Sequence, residues 1–191
     1  NYPVNSLVVT GNWRFNLKEK NILKKNSSYQ KKTINIFSSI WHSHSEKFFK
    51  DILDVLKNFE EFSPVIKLHP SEHNLNIRKL KKIVITYGYK ESIISNSSVF
   101  ELLANSDVVI SEYSTVLFES VFFNNPTILF NPNLFKNHPR YFETYNVIDI
   151  VKDKKELADK ISSKLNNIKD KKSIPNRNIF LEDIFYNLDS N

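Results

Sequence analysis

The chain has 191 residues, room for one domain with a sizeable core, or a domain with a tail. It contains no cysteine, which excludes disulfides, a thiolate nucleophile and a zinc–thiolate site. Lys+Arg number 27 and Asp+Glu 21, a net charge of +6. The excess is nearly all Lys in a chain rich in Asn and Ile, a trio that AT-rich coding favours. No nucleic-acid-binding motif accompanies it, so the charge is not read as a nucleic-acid footprint. It suits an anionic donor, or an acceptor near a membrane surface. No apolar run approaches the ~20 residues needed to cross a bilayer, and no signal peptide is recognisable. The chain also lacks methionine, so a fragment of a longer protein is expected.

Strand-like and helix-like segments alternate from the start. Ser6–Thr10 reads as a strand ending at Gly11, followed by a short helix near Leu17–Lys25. Thr33–Phe37 is the second strand. Ser45–Phe59 is amphipathic, with Phe48, Ile52, Val55, Leu56 and Phe59 on one face. Pro64–Leu68 is a strand running into His69-Pro70. In 76–87 the run KIVIT has strand composition, but Ile77, Leu80, Val84 and Tyr87 recur at three and four residues. Gly88 then stands where a helix ends, so a helix is predicted. A strand is expected at Ser92–Ser95, a helix at Ser98–Ala104 and a buried strand at Asp107–Ile110. A helix over Thr115–Phe123 comes next, then strands at Thr127–Phe130 and Val147–Val151, and a helix at Lys154–Leu165. Such alternation, with helix-length connections, implies one parallel sheet covered on both faces: a Rossmann-like, doubly wound α/β domain over residues 1–168. Residues 169–191 read as a C-terminal tail or a truncated element.

The chemistry is expected at the carboxyl edge of that sheet, where open α/β sheets bind ligands. With only two glycines the chain has neither G-x-G-x-x-G nor a P-loop. A phosphate would have to be held by hydroxyls and a helix N-terminus. The stretch SDVVISEYSTVLFESVFF supplies both, with Ser114 as N-cap and the free N–H groups of Thr115 and Val116 beside the two hydroxyls. Glu119 lies one turn further on, within reach of a ribose hydroxyl. The alternative is an ordinary cap and a solvated glutamate. His69, fixed at a strand end by Pro70, can donate to a phosphate or is a satisfied structural histidine. His42 and His44 fall on the same edge after the second strand, although capping by Ser43 or Ser45 explains that run equally well. Their H-x-H spacing has no third ligand nearby, so no metal is expected. Phe118, Phe122 and Phe123 are assigned to the core. Tyr113 is placed beside a ligand, and His73 and His138 are given no role.

Together VVTGN, IKLHP and SDVVISEYSTVLFES…NNPTILF resemble the C-terminal, donor-binding half of GT-B-fold transferases of bacterial surface polysaccharides. The likeness covers residues 6–165 and is nearest to the CDP-glycerol glycerophosphotransferase and polysialyltransferase/sialyltransferase groups. It implies a transferase using a CMP-, CDP- or UDP-activated donor in capsule, lipopolysaccharide or teichoic acid synthesis. It places donor phosphate on His69, Ser114 and Thr115, with His69 acting on the leaving nucleotide, and extends the donor site to His42 and Gly11. A fainter likeness to non-hydrolysing UDP-sugar 2-epimerases supports ribose binding by Glu119. Glu112 departs from the Asp usual at that place in the glycerophosphotransferases, and Ser-Thr replaces the epimerase glycines. The resemblance assigns the catalytic base to an N-terminal half that this chain lacks. It implies a cytoplasmic, metal-independent enzyme with no cofactor beyond its donor and a polysaccharide or lipid-linked acceptor. Association with the inner face of the membrane fits the same charge. The rival readings are a non-catalytic nucleotide-sugar-binding module needing a partner chain, and an epimerase-type enzyme.

Overall fold

The computed structural model describes residues 32–89, 92, 96–131, 141–167 and 174–185. The expected first strand, Gly11 and the helix near Leu17–Lys25 lie outside the described residues, as does nearly all of the strand expected at Ser92–Ser95. The described strands are β1 (Lys32–Phe37), β2 (Phe62–Lys67), β3 (Val108–Ser111), β4 (Thr127–Phe130) and β5 (Asp149–Val151). They form one sheet in the order β2-β1-β3-β4-β5, and every pairing is parallel. The helices are α1 (Ser45–Leu56), α2 (Asn74–Thr86), α3 (Val99–Ala104), α4 (Val116–Phe122), α5 (Tyr141–Tyr145), α6 (Lys154–Asn167) and α7 (Arg177–Phe185). The fold is the Rossmann-like α/β sheet that the alternation implied.

Period-2 alternation sorts the strand residues between two helical layers. Ile34, Ile36, Val108, Ile110, Ile128 and Phe130 face a core built with Phe48, Ile52, Leu80, Val84 and Leu157 of α1, α2 and α6. Phe37 and Val109 face the opposite layer with Leu102 and Leu103 of α3. Leu129 packs there with Leu117 and Phe122 of α4, Phe142 of α5 and Phe180 of α7. Burial on both faces explains why β3 and β4 read as unbroken apolar runs. Pro64 lies inside β2, which lacks a neighbour on one side among the described strands, a place where a missing N–H is tolerated.

Periodicity settled KIVIT. Residues 82–86 are helical, and α2 ends in a Schellman motif in which Tyr89 N–H donates to Val84 O (3.1 Å) and Gly88 N–H to Ile85 O (3.0 Å). Gly88 holds φ +83°. With so few glycines, asparagine takes the other left-handed positions among the described residues: Asn124, Asn146 and Asn176 have φ of 60°, 52° and 57°. Asn124 and Asn125 close α4 in the same way, onto Val121 O and Ser120 O. One expectation needs correction. The strand predicted from Val147 begins only at Asp149, because Asn146 turns the chain just before and Val147 and Ile148 are buried without joining the ladder. The stretch read as a tail or truncated element contains α7. There the Arg177 guanidinium donates to Val121 O (2.8 Å) and Phe122 O (2.5 Å), covering carbonyls at the end of α4.

This packing leads to two expected outcomes. A Cβ on Gly88 meets nothing within 4 Å, so the cost of Gly88→Ala is backbone strain alone. Equilibrium unfolding should show a loss of about 1–2 kcal/mol, and Gly88→Asn should recover part of it. On the far edge strand β5, Asp149 receives Lys160 (2.8 Å) and Lys164 (2.6 Å). Burial pushes its carboxyl up, but the two lysine hydrogen bonds and charges outweigh burial and hold it below the usual 3.8. A depressed carboxyl contributes stability above its unfolded value and loses it as pH falls through the folded one. Asp149→Asn should therefore melt below wild type at neutral pH, with the gap closing under acid. A pH-independent gap would assign the effect to packing instead.

Candidate functional site

The chain leaves β1, builds β2 on one side of it, then crosses back to build β3 on the other. That reversal opens a crevice at the carboxyl ends of β1 and β3, the position where doubly wound sheets bind ligands. Three loops meet there, following β1, β2 and β3. Strands ~4.8 Å apart put the ends of β2 and β3 about 10 Å from one another across β1. His69 and Ser114 thus share one edge, as the sequence predicted, with the His42 loop between them.

His69 stands two residues beyond β2 and is half-buried. Its carbonyl accepts the Glu72 N–H at 3.0 Å across a β-turn with Pro70 in the second position, where a fixed φ is favoured. Its Nδ1 accepts the Ser71 N–H at 3.2 Å, so Nε2 is the ring nitrogen left to donate. His42 is fixed in the same sense. Nδ1 accepts the His44 N–H (3.2 Å), while Nε2 lies 3.2 Å from Glu112 Oε1. Neither Ser43 nor Ser45 is the cap. The residue before α1 is His44, and Ser45 Oγ instead accepts the His42 N–H at 3.0 Å.

Two carboxylates to which the sequence assigned no role organise this edge. Glu112 Oε2 accepts from Ser39 Oγ (2.7 Å) and Ser39 N–H (3.3 Å), in addition to the His42 contact through Oε1. It therefore ties the β3 loop to the β1 loop. From the other side, Glu72 accepts the Trp41 N–H (2.7 Å), the His73 N–H (2.9 Å) and Asn76 Nδ2 (2.6 Å). Partial burial pushes Glu72 up, but the Asn76, His73 and Trp41 bonds and the nearby His69 prevail, and its carboxyl sits below the ordinary value. The segment Ser39–His42 is held between these two acceptors. One signal for Glu112 was available: it follows β3 directly, at the edge already singled out.

The polar run around Ser114 departs in detail from expectation. The residue preceding α4 is Thr115, with helical φ −59° and ψ −23° and no side-chain cap bond. Ser114 Oγ lies 3.4 Å from the Val116 N–H, so that N–H is engaged rather than free. Ser114 O and Thr115 O accept Leu117 and Phe118 N–H, a tight first turn that precedes the α-helix. The Thr115 side chain is exposed. Glu119 is no solvated glutamate, being only 2% exposed. Tyr113 is 45% exposed beside the crevice, whereas Phe118, Phe122 and Phe123 belong to the core layers. His73 precedes α2, and His138 and Gly11 lie outside the described residues. Among the described residues, no three His, Asp or Glu side chains cluster as metal ligands would.

Known structures share this architecture. The C-terminal domain of a glycosyl transferase group 1 family protein (LpcC) from Francisella tularensis superposes with a TM-score of 0.58 at 13% identity, covering 86% of this chain and 96% of that one. The wall teichoic acid polymerase TagF gives 0.56 at 18%, covering 91% of this chain and 42% of its own. A protein assigned as a UDP-N-acetylglucosamine 2-epimerase from Listeria monocytogenes gives 0.64 at 13%, covering 98% and 51%. The chain thus spans about half or less of those last two proteins. At such identities the likeness establishes the fold, one half of a GT-B arrangement, and nothing finer. No curated protein sequence matches. Family membership comes from a family model, which matches residues 56–191, well over half of the sequence. On that match, the chain belongs to the CDP-glycerol:poly(glycerophosphate) glycerophosphotransferase family.

Proposed function

We propose that this chain is the donor-binding half of a transferase that moves a glycerophosphoryl group from a CDP-activated donor to a teichoic-acid-type acceptor. The observation that carries the reading is the meeting of the His69, His42 and Ser114-Thr115 loops at one sheet crossover in a member of this family. The family model is of glycerophosphotransferases, which favours that chemistry over sialyl transfer and CDP over CMP or UDP. Structures of the fold neighbour TagF with CDPG point the same way.

In the proposed reaction an acceptor hydroxyl oxygen attacks the glycerol-bearing phosphorus. The bond to the bridging oxygen breaks, and CMP departs with that electron pair. The hydroxyl proton passes to a base on an N-terminal half. Ser114 and Thr115 hydroxyls hold the diphosphate, and the Nε2–H of His69 stabilises charge on the departing phosphate. Glu119 takes the ribose, since a nearly dry carboxylate is a strong acceptor for hydroxyl donors. Glu112 and Glu72 hold the loop bearing His42. A polysaccharide or lipid-linked acceptor and an N-terminal half belong to the same proposal.

Titration with CDP separates this reading from a purely structural one. Ser114→Ala, Thr115→Ala and His69→Ala should each weaken binding about tenfold to a hundredfold, the loss of one hydrogen bond to a charged oxygen. If the Ser114 stretch only supports the helix start, Ser114→Ala should instead cost roughly 1 kcal/mol of stability with affinity unchanged. Glu112→Gln should weaken CDP binding and shift the His42 ring nitrogen resonances, because its Nε2 partner is altered. Unchanged affinity in all four variants would remove the donor site from this edge.

A further inference from the structure

Glu72 and Glu112 stand at the edge of a crevice read as an anion site, where an unoccupied carboxylate would repel the ligand. Both are occupied. Three donors converge on each: the Trp41 N–H, the His73 N–H and Asn76 Nδ2 on Glu72, and the Ser39 N–H, Ser39 Oγ and His42 Nε2 on Glu112. The Glu112 side chain is only 12% exposed, so little water competes for those bonds.

The two oxygens of Glu72 point to different segments. Oε1 stays on its own, accepting from His73 and Asn76 at the start of α2. Oε2 crosses to the loop after β1 to accept the Trp41 N–H at 2.7 Å. The Glu72 N–H meanwhile donates to His69 O at 3.0 Å. On the next loop residue, His42 engages both ring nitrogens within the protein. Nδ1 accepts the His44 N–H, and the Nε2 proton of that tautomer faces Glu112 Oε1 at 3.2 Å. Glu112 in turn stands two residues before Ser114. A continuous chain of bonds thus runs from His69 through Glu72, Trp41, His42 and Glu112 to Ser114. Its middle is seated on α1, where the Trp41 ring stacks on the buried Phe49 (centroids 5.8 Å apart) and the His42 N–H donates to the buried Ser45.

We infer that Glu72, Trp41, His42 and Glu112 act in series as a relay that holds the His69 turn and the Ser114 loop in register. Glu72 and His42 are then positioning residues that touch no ligand. The consequence for binding rests on the donor reading, since a diphosphate bridging two loops gains from finding them already spaced. A relay in series is broken by the loss of any one link, and a second break adds little. Two independent braces would each cost affinity on their own.

The test pairs CDP titration of the full chain with ring-nitrogen NMR spectra of the ligand-free protein. Glu72→Gln keeps one oxygen for the donors of α2 and turns an NH2 toward the Trp41 N–H, so the crossing bond is lost with little change in volume. Removing a negative charge beside an anion site would by itself tighten binding, so a loss reports positioning. CDP affinity should fall about tenfold in Glu72→Gln and in Glu112→Gln. The double variant should also lose about tenfold rather than a hundredfold. Ser39→Ala, which removes a 2.7 Å bond to Glu112 without altering a charge, should act in the same direction. In the free protein, Glu72→Gln should move the His42 ring nitrogen resonances, although Glu72 bonds the Trp41 amide and not that ring. Unmoved His42 resonances, unchanged affinity in Glu72→Gln while His69→Ala loses it, or losses that multiply in the double variant would each overturn the relay. The resonances are read without nucleotide. If His69→Ala and Ser114→Ala leave CDP affinity unchanged, the donor reading fails, and the His42 resonances still decide whether the loops are linked.

Discussion

A parallel strand cannot pair with its predecessor until the chain has returned to the starting end, and that return is made by a helix. β1 is paired on both sides, to β2 through Lys32–Phe37 and to β3 through Ile34–Phe37. Both crossovers therefore deliver their following loops to the edge where β1 ends. His69 and Ser114, 45 positions apart by their numbering, are thereby delivered to either side of the β1 end. The buried Ser111 hydroxyl donates across the ladder to Phe37 O, extending the β1–β3 pairing to the last residue before the loops part.

Beyond the ladder, carboxylates continue the work of the backbone. Glu72 and Glu112 each accept at least one main-chain N–H from the Ser39–His42 segment, which belongs to neither of their own loops. Acceptors that carry charge make stronger bonds than neutral ones, more so where water is partly excluded. Such bonds spare the loop amides the cost of lying half-buried without a partner. Asp149 accepts instead from two lysine ammonium groups and so fastens β5 to α6.

What could be read from the sequence was whatever repeats along it. The three-and-four spacing of Ile77, Leu80, Val84 and Tyr87 outweighed the strand propensity of KIVIT, and Gly88 marked the stop. The helix expected at Ser98–Ala104 is present as α3, and its first turn places the Glu101 N–H on Ser98 Oγ. Glu112 and Glu72 escaped because their partners lie 73 and 31 positions away, and no local pattern encodes such a contact. The Ser114 cap was misplaced by one residue because Ser and Thr both satisfy the capping preference and only the backbone angles separate them. The last helix went unread because its apolar residues lack a clear one-sided spacing, although Phe180 and Leu181 are buried.

Replacing glycine by asparagine at left-handed positions gives this chain something glycine lacks, a side chain that can bond elsewhere. Asn124 ends α4, and its Oδ1 accepts the Ile174 N–H. Asn176 precedes α7, and its Nδ2 donates to Tyr145 O at the end of α5. Each turn is thereby also a fastener between segments distant in sequence. Exchanging asparagine for glycine at a positive φ normally relieves strain, but here it would relax the backbone while unhooking α7 from the layer over the sheet. For the C-terminal segment, a bend in the main chain and a tertiary contact are therefore the same residue, and neither can be tuned by mutation without disturbing the other.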